Sequence, residues 1–311
     1  MFEQIRRFFA RLFGYSTENQ AATPPVSTRQ VAPATIEDAA DLDNPPILHI
    51  EAPEARTRGL ETGRSIGTPS IFVGEVVDVH AGNAVSSSPV SITEPRFVWC
   101  LDNGHGRLQS GKRSPVFDDG RQFEEWEFNR DIVRRMIAKL DPAGVQYFNV
   151  VPEDEVGSFL QERVARANDY ASPLGLPKLF VSIHSNAVGL GGWVDGTRGI
   201  ETWHFPNNDN GRRIASAFQS ALMEALPDWR DRGIKSHQAG SGSIFYVLRN
   251  TNMPAILTEN GFYTDRTETA LLMTDEIRQR IADAHVAAIL HIEQHGFDNI
   301  PIYRPNMVVG G

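Results

Sequence analysis

A single cysteine, Cys100, stands in a chain of 311 residues, so no disulfide framework can form within one chain and stapling is excluded. No apolar run approaches the ~18–20 residues that a helix needs to span a bilayer. Positive charge is in deficit. Lysine and arginine total 30 against 39 aspartates and glutamates, a formal net charge of −9, which excludes broad attraction to nucleic acid. A secretion signal is missing too. In Met1-Phe2-Glu3-Gln4-Ile5-Arg6-Arg7-Phe8-Phe9 the apolar residues are interrupted by arginines, and no small-residue cleavage site follows.

What is present suits a soluble globular protein, with 41% hydrophobic and 22% charged residues. Residues 1–15 have a helical period. At about 100° per residue, Phe2, Ile5, Phe8, Phe9, Leu12 and Phe13 share an arc of about 140°, with Arg7 and Arg11 opposite. Such an amphipathic helix suits a membrane surface, a protein partner's groove, or its own body. Residues 16–46 read as a linker rich in Pro and Ala. Residues 47–95 read as a small β-rich arm or attachment region, with Ile71-Phe72-Val73 and Val76-Val77-Asp78-Val79 as strands.

From residue 96 to 296 the elements alternate, and residues 297–311 form a C-terminal tail. The spacing predicts strands at 97–101, 145–151, 179–183, 199–205, 243–248 and 255–258, and helices at 123–140, 159–171, 211–226 and 276–295. This pattern predicts an α/β fold, a central mostly parallel sheet of about six strands flanked by helices. Ligand sites in such sheets gather beyond the carboxyl ends of the strands.

Three strand ends carry metal-ligand chemistry. The first strand runs into Asp102-Asn103-Gly104-His105-Gly106, where glycines let the backbone bend around an exposed imidazole. Another ends in Ser182-Ile183-His184-Ser185-Asn186. A third, Pro254-Ala255-Ile256-Leu257-Thr258, ends at Glu259. A carboxylate closing an apolar strand is unusual unless it is paired, for instance with Arg249, or functional. On the helix from Phe123, the apolar face defined by Ile132, Val133, Met136, Ile137 and Leu140 lies at about 180–320°. Glu125 and Asn129 fall on that face at about 200° and 240°, whereas Glu124 and Glu127 point outward. Two histidines and one carboxylate are a recurrent ligand set for catalytic zinc. A second carboxylate, Glu259, then suits the proton transfers of a hydrolysis.

These motifs, in this order, resemble the N-acetylmuramoyl-L-alanine amidase family in its zinc-dependent amidase 3 form. The resemblance covers residues 96–296 and also takes in Glu162-Arg163-Val164, Gly199-Ile200-Glu201-Thr202, Arg232-Gly233-Ile234-Lys235, Val247-Leu248-Arg249 and Glu259-Asn260-Gly261-Phe262. It implies a Zn2+ cofactor held by His105, Glu125 and His184, with Glu259 as the catalytic carboxylate. It implies peptidoglycan as substrate, cut between N-acetylmuramic acid and L-alanine. Asn103 departs from the family's usual small apolar residue or proline, and Asn260-Gly261-Phe262 departs from a shorter or more apolar link.

Asn129, Arg163, Asn186 and Arg249 are candidates for substrate contact or for support of the ligands. Asn129 either steadies Glu125 or caps local polar groups. Arg163 and Arg249 either bind a substrate carboxylate or form structural ion pairs. Trp193, in a Gly-rich loop, either stacks on a sugar face or is exposed. His237 reads as a surface loop residue, and His204, His285, His291 and His295 as structural. The rival to a wall hydrolase is a non-catalytic structural or peptidoglycan-binding component of a larger particle. Without a sorting signal, delivery by a phage, a holin or an injected particle is the expectation for an enzyme that acts on the wall.

Overall fold

The computed structural model describes residues 90–237 and 243–305. The amphipathic helix, the linker, most of the arm and the last residues of the tail lie outside the described residues. Six strands form one sheet: β1 (Val98–Asn103), β2 (Gln146–Asn149), β3 (Lys178–Asn186), β4 (Ile200–His204), β5 (Asp231–Lys235) and β6 (Ala255–Phe262). Their order is β2-β1-β3-β6-β4-β5. Every neighbouring pair is parallel except β4 with β6. The expected mostly parallel sheet is therefore observed. Because β1, β3 and β6 run the same way, their carboxyl ends share one end of the sheet, while β4 and β5 run opposite to them.

Among the described residues six α-helices accompany it: α1 (Glu125–Leu140), α2 (Leu160–Asp169), α3 (Asp209–Ala225), α4 (Tyr246–Asn250), α5 (Arg266–Leu272) and α6 (Asp275–His295). Strand alternation sends Trp99, Leu101, Val181 and Ile183 to one face, against α1, α3 and α6. Cys100, Phe180 and Leu257 go to the other, against Val164 of α2 and Val247 of α4. The inward stripe of α1 is Phe128, Ile132, Val133, Met136 and Leu140, all buried, as its period requires. Burial pushes the Cys100 thiol up to about 12, which makes it an inert core residue.

Three elements differ from expectation, α5 among them as a helix the spacing does not predict. The strand expected at 243–248 is absent, and its residues lead into the short helix α4, which buries Val247 and Leu248. A short apolar run does not distinguish strand from helix. Strand β5 takes its place in the count. Its sequence, Asp231-Arg232-Gly233-Ile234-Lys235, has one apolar residue, as suits a charged strand at the sheet's edge. The ends of the body also reach further than expected. Ile92 donates to Ala143 O at 2.7 Å, and Arg213 Nη1 donates to Ile300 O at 2.7 Å. Residues 90–95 and 297–305 thus belong to the same body.

His285 of α6 is structural. Its Nδ1–H donates to Ile281 O at 2.8 Å and its Nε2 accepts from Thr258 Oγ1 at 2.9 Å. Burial lowers its pKa to about 4, so the folded protein keeps it neutral where the unfolded chain, near 6.5, takes up a proton. Stability then falls as pH drops from about 6.5 towards 4. At pH 5 this one histidine removes roughly 2 kcal/mol relative to pH 7. Urea melts at both pH values should show that difference shrink in His285→Gln; an unchanged difference would contradict the assignment.

Candidate active site

The end of β1 is shaped by close approach. A Cβ on Gly104 would lie 2.4 Å from the His184 ring, and one on Gly106 would lie 2.2 Å from Val156 O. Neither position tolerates a side chain. His105 between them takes a left-handed φ of 61°, a conformation that costs a non-glycine residue free energy and that clusters at functional sites. The turn is tied down by α1 and α2. Asn129 Nδ2 donates to Gly104 O at 3.0 Å, and Arg163 Nη2 donates to His105 O at 3.3 Å.

Three side chains from separate elements then converge. His105 Nε2 is 3.2 Å from Glu125 Oε2, His184 Nδ1 is 3.1 Å from Glu125 Oε1, and the two ring nitrogens are 3.2 Å apart. Ligand atoms around a tetrahedral zinc, each at roughly 2.0–2.2 Å, stand about 3.3–3.6 Å from one another. The observed edges fall within a few tenths of an ångström of that. Among the described residues this is the cluster of histidine and carboxylate groups able to hold a metal ion.

The other edge of each imidazole decides which nitrogen carries the proton. Ser182 Oγ donates to Asp102 Oδ2 at 2.5 Å, so at 3.1 Å it accepts from His184 Nε2–H. Gln109 Oε1 accepts from His105 Nδ1–H at 2.8 Å. Both inner nitrogens therefore present lone pairs to a carboxylate and to each other, an arrangement that repels unless a cation lies between them. Burial opposes ionisation of Glu125, but when no cation lies between them, protonation of His105 or His184 on its inner nitrogen holds the carboxyl below the usual range. Ser185 N also donates to Glu125 Oε1 at 3.0 Å. Burial lowers the pKa of His184, against the attraction of the Glu125 carboxylate, which favours a protonated ring. An ionised carboxylate and a neutral imidazole are the ligand forms.

Glu259 sits beside this cluster. On β6 it is the register partner of His184 on β3, and on its other side it faces Glu201 of β4. It is buried, at 3% exposure, and Asn260 Nδ2 secures the adjoining strand by donating to His184 O at 2.9 Å. The cleft next to the cluster is lined by Gln109, Lys112, Leu160, Phe245 and Tyr246.

The supporting residues take up contacts within the protein, among them alternatives the sequence leaves open. Asn129 holds Gly104 instead of Glu125. Arg163 is fully inward, at 1% exposure, and is paired with Asp102 Oδ1 at 2.6 Å, so the structural ion pair describes it. Asn186 turns its amide inward, with Nδ2 on Glu201 at 2.9 Å and Oδ1 on Ala187 N. Arg249 is exposed and donates to Ile244 O at 3.1 Å. Trp193 packs against Phe117, at 4.7 Å, with the guanidinium of Arg266 over its ring at 5.1 Å. Glu201 had been singled out only within a motif. It is fully buried and takes Arg232 Nε at 2.5 Å, Lys235 Nζ and Trp203 Nε1. Asp102, Ser182 and Gln109 lay in or near the quoted motifs, and their roles show only once β1, β3 and the following turn meet.

The sheet with three converging ligand groups at its carboxyl end defines an α/β protein with a candidate metal centre. The family described as N-acetylmuramoyl-L-alanine amidase (Amidase_3) matches residues 100–291, and the chain belongs to this family of peptidoglycan amidases. An uncharacterized protein of Bacillus subtilis (strain 168), YqiI, is 33% identical over 191 residues, covering 61% of this chain and 81% of its own. The endolysin of Bacillus phage SPP1 is 27% identical over 219 residues, 66% of this chain and 70% of its own. Among solved structures, an N-acetylmuramoyl-L-alanine amidase from Clostridium difficile 630 superposes with a TM-score of 0.53 at 28% identity, covering 67% of this chain and 99% of its own. The catalytic domain of the amidase CwlV from Bacillus (Paenibacillus) polymyxa var. colistinus gives a TM-score of 0.51 at 26% identity, covering 63% and 97%. No helix among the described residues is long and apolar enough to cross a membrane.

Gly104→Ala tests the packing of the centre. The new methyl group should displace the His184 ring and lower divalent-metal affinity at least tenfold while circular dichroism stays unchanged. Equilibrium dialysis against zinc reads the affinity; wild-type binding would show that the close approach is not needed.

Proposed function

We propose that the protein is a zinc-dependent amidase that hydrolyses the amide joining the lactyl group of N-acetylmuramic acid to L-alanine of the stem peptide. The observation that carries this reading is the meeting of His105 Nε2, His184 Nδ1 and the Glu125 carboxylate, with both imidazole tautomers pinned from behind. Those three residues would hold Zn2+. When bound there, the ion supplies Lewis acidity, polarising the scissile carbonyl and acidifying the attacking water.

The protein's own groups supply the rest. Glu125 is 2% exposed, whereas the His105 and His184 side chains are 13% and 15% exposed. Substrate therefore meets the histidine edges, and the carboxylate stays beneath them. Glu259, next to His184 in register, accepts a proton from the attacking water at a carboxylate oxygen. It then delivers that proton to the leaving nitrogen as the C–N bond breaks. A new C–O bond forms, and the products are the lactyl carboxylate and the free amine of L-alanine. The SPP1 endolysin among the relatives supports a lytic setting, in which a phage, a holin or an injected particle brings the enzyme to the wall.

The competing reading is a non-catalytic wall-binding component. Retention of all four groups in one constellation favours the enzyme. Glu259→Gln should lower release of peptide from purified sacculi by at least about a thousandfold while one zinc per chain stays bound. His105→Ala and His184→Ala should lose both metal and turnover. Mass spectrometry of the digest identifies the bond cut, and undiminished hydrolysis by a chelator-stripped, metal-free preparation would refute the zinc reading.

A further inference from the structure

Beside Glu259 lies a cluster that the hydrolytic steps do not use. Glu201 is fully buried, and two cations share one of its oxygens, Arg232 Nε at 2.5 Å and Lys235 Nζ. Its other oxygen takes Asn186 Nδ2 at 2.9 Å and Trp203 Nε1 at 3.1 Å. With Glu259 as its register neighbour, two acids are balanced by two cations, yet both cations stay partly open to solvent instead of being buried with the carboxylate they serve.

The donor count points the same way. An ammonium has three donors and a guanidinium five. Lys235 Nζ spends one on Glu201. Arg232 spends Nε on Glu201 and Nη1 on Arg198 O at 3.4 Å, which leaves Nη2. The side chains are partly exposed, at 27% for Lys235 and 21% for Arg232. Each is also braced by a ring, Lys235 over Trp203 at 5.3 Å and Arg232 over Phe262 at 4.8 Å. Both cations are therefore fixed in place with donors to spare.

Space for a ligand adjoins Lys235. Lys235 lines a cavity of about 600 Å³ whose wall also carries His204, Arg212, Ser236 and His237, with Asp209 as its acid. His204 is 7% exposed and its Nδ1–H donates to Phe205 O at 3.0 Å. Burial lowers its pKa, and the charges of Arg212 and His237 push it further down; on that wall Lys235 and Arg212 outnumber Asp209. Lys235 joins the cavity to Glu201, and Glu201 is the register neighbour of Glu259.

We propose that Lys235 and Arg232, gathered by Glu201, form a subsite that recognises a carboxylate on the peptide portion of the substrate, which the adjoining cavity receives. Lys235 and Arg232 contact the ligand; Glu201 is the positioning residue that holds them. The assignment deepens the amidase reading and rests on it for the identity of the ligand.

The test uses the full chain with Glu259 intact, because dipeptides without a lactyl amide bind without turnover. Calorimetry compares alanyl-glutamate with alanyl-glutamine, peptides that differ by one carboxylate against one carboxamide. The carboxylate peptide should bind at least about tenfold more tightly, the scale of a charge-assisted hydrogen bond. Lys235→Met should reduce that preference to about twofold or less, and Lys235→Arg should keep most of it. Equal affinities in the parent chain, or a preference that survives Lys235→Met intact, would overturn the subsite. Zinc content and sacculus hydrolysis of the same chain are measured separately, so failure of the subsite is distinguishable from failure of the amidase reading.

Discussion

The centre depends on one ion pair that water does not reach. Asp102 is fully buried at the end of β1, with Oδ1 on Arg163 Nη1 at 2.6 Å and Oδ2 on Ser182 Oγ at 2.5 Å. The two bonds join β1 to α2 and to β3. They also set the direction of the Ser182 hydroxyl, and so the tautomer of His184. Removing one partner of such a pair leaves an uncompensated buried charge, at a cost of about 3–5 kcal/mol. Surface pairs such as Arg107 with Glu155 contribute on the order of 0–1 kcal/mol. The same pair therefore supports both fold and chemistry, and Arg163 extends its reach to the carbonyls of Asn103 and His105.

Reversal of one strand does the second job. Had β4 run parallel to β6, its first residues would lie at the far end of the sheet from His184. Because it is antiparallel, Glu201 near its start falls next to Glu259 near the end of β6. His184, Glu259 and Glu201 then make a row across three strands on one face. Glu201 is balanced by two cations, which offsets the repulsion of placing two acids side by side. The family match and the superposed amidases cover this part of the chain.

Much of this was readable from residues alone, for physical reasons. The helical period of α1 placed Glu125 inward, and the apolar strand ends placed His105, His184 and Glu259 at one end of a sheet. Burial patterns repeat every two or 3.6 residues, so they survive in the sequence. Contacts between distant segments do not. Nothing near Asn129 says that its amide will reach Gly104, and nothing near Arg163 says that Asp102, rather than a ligand, will take its guanidinium. Strand β5 was missed because an edge strand with one apolar residue has no alternation to read. Helix α4 was misread because Ile244-Phe245-Tyr246-Val247-Leu248 is apolar throughout. Helix α5 was missed because it is only seven residues long, although Asp265 caps it through Thr267 N and Glu268 N.

The chain enters the body through Val90–Ile92, beside Ala143 and Gly144, where a Cβ on Gly144 would strike Ile92 O at 2.6 Å. That is the amino end of β1 and β2, whereas His105, His184 and Glu259 lie at the carboxyl end of the sheet. The entry at residue 90 and the ligand cluster thus occupy opposite ends of the sheet, which leaves residues 90–92 clear of the edge where the His105 and His184 rings are exposed.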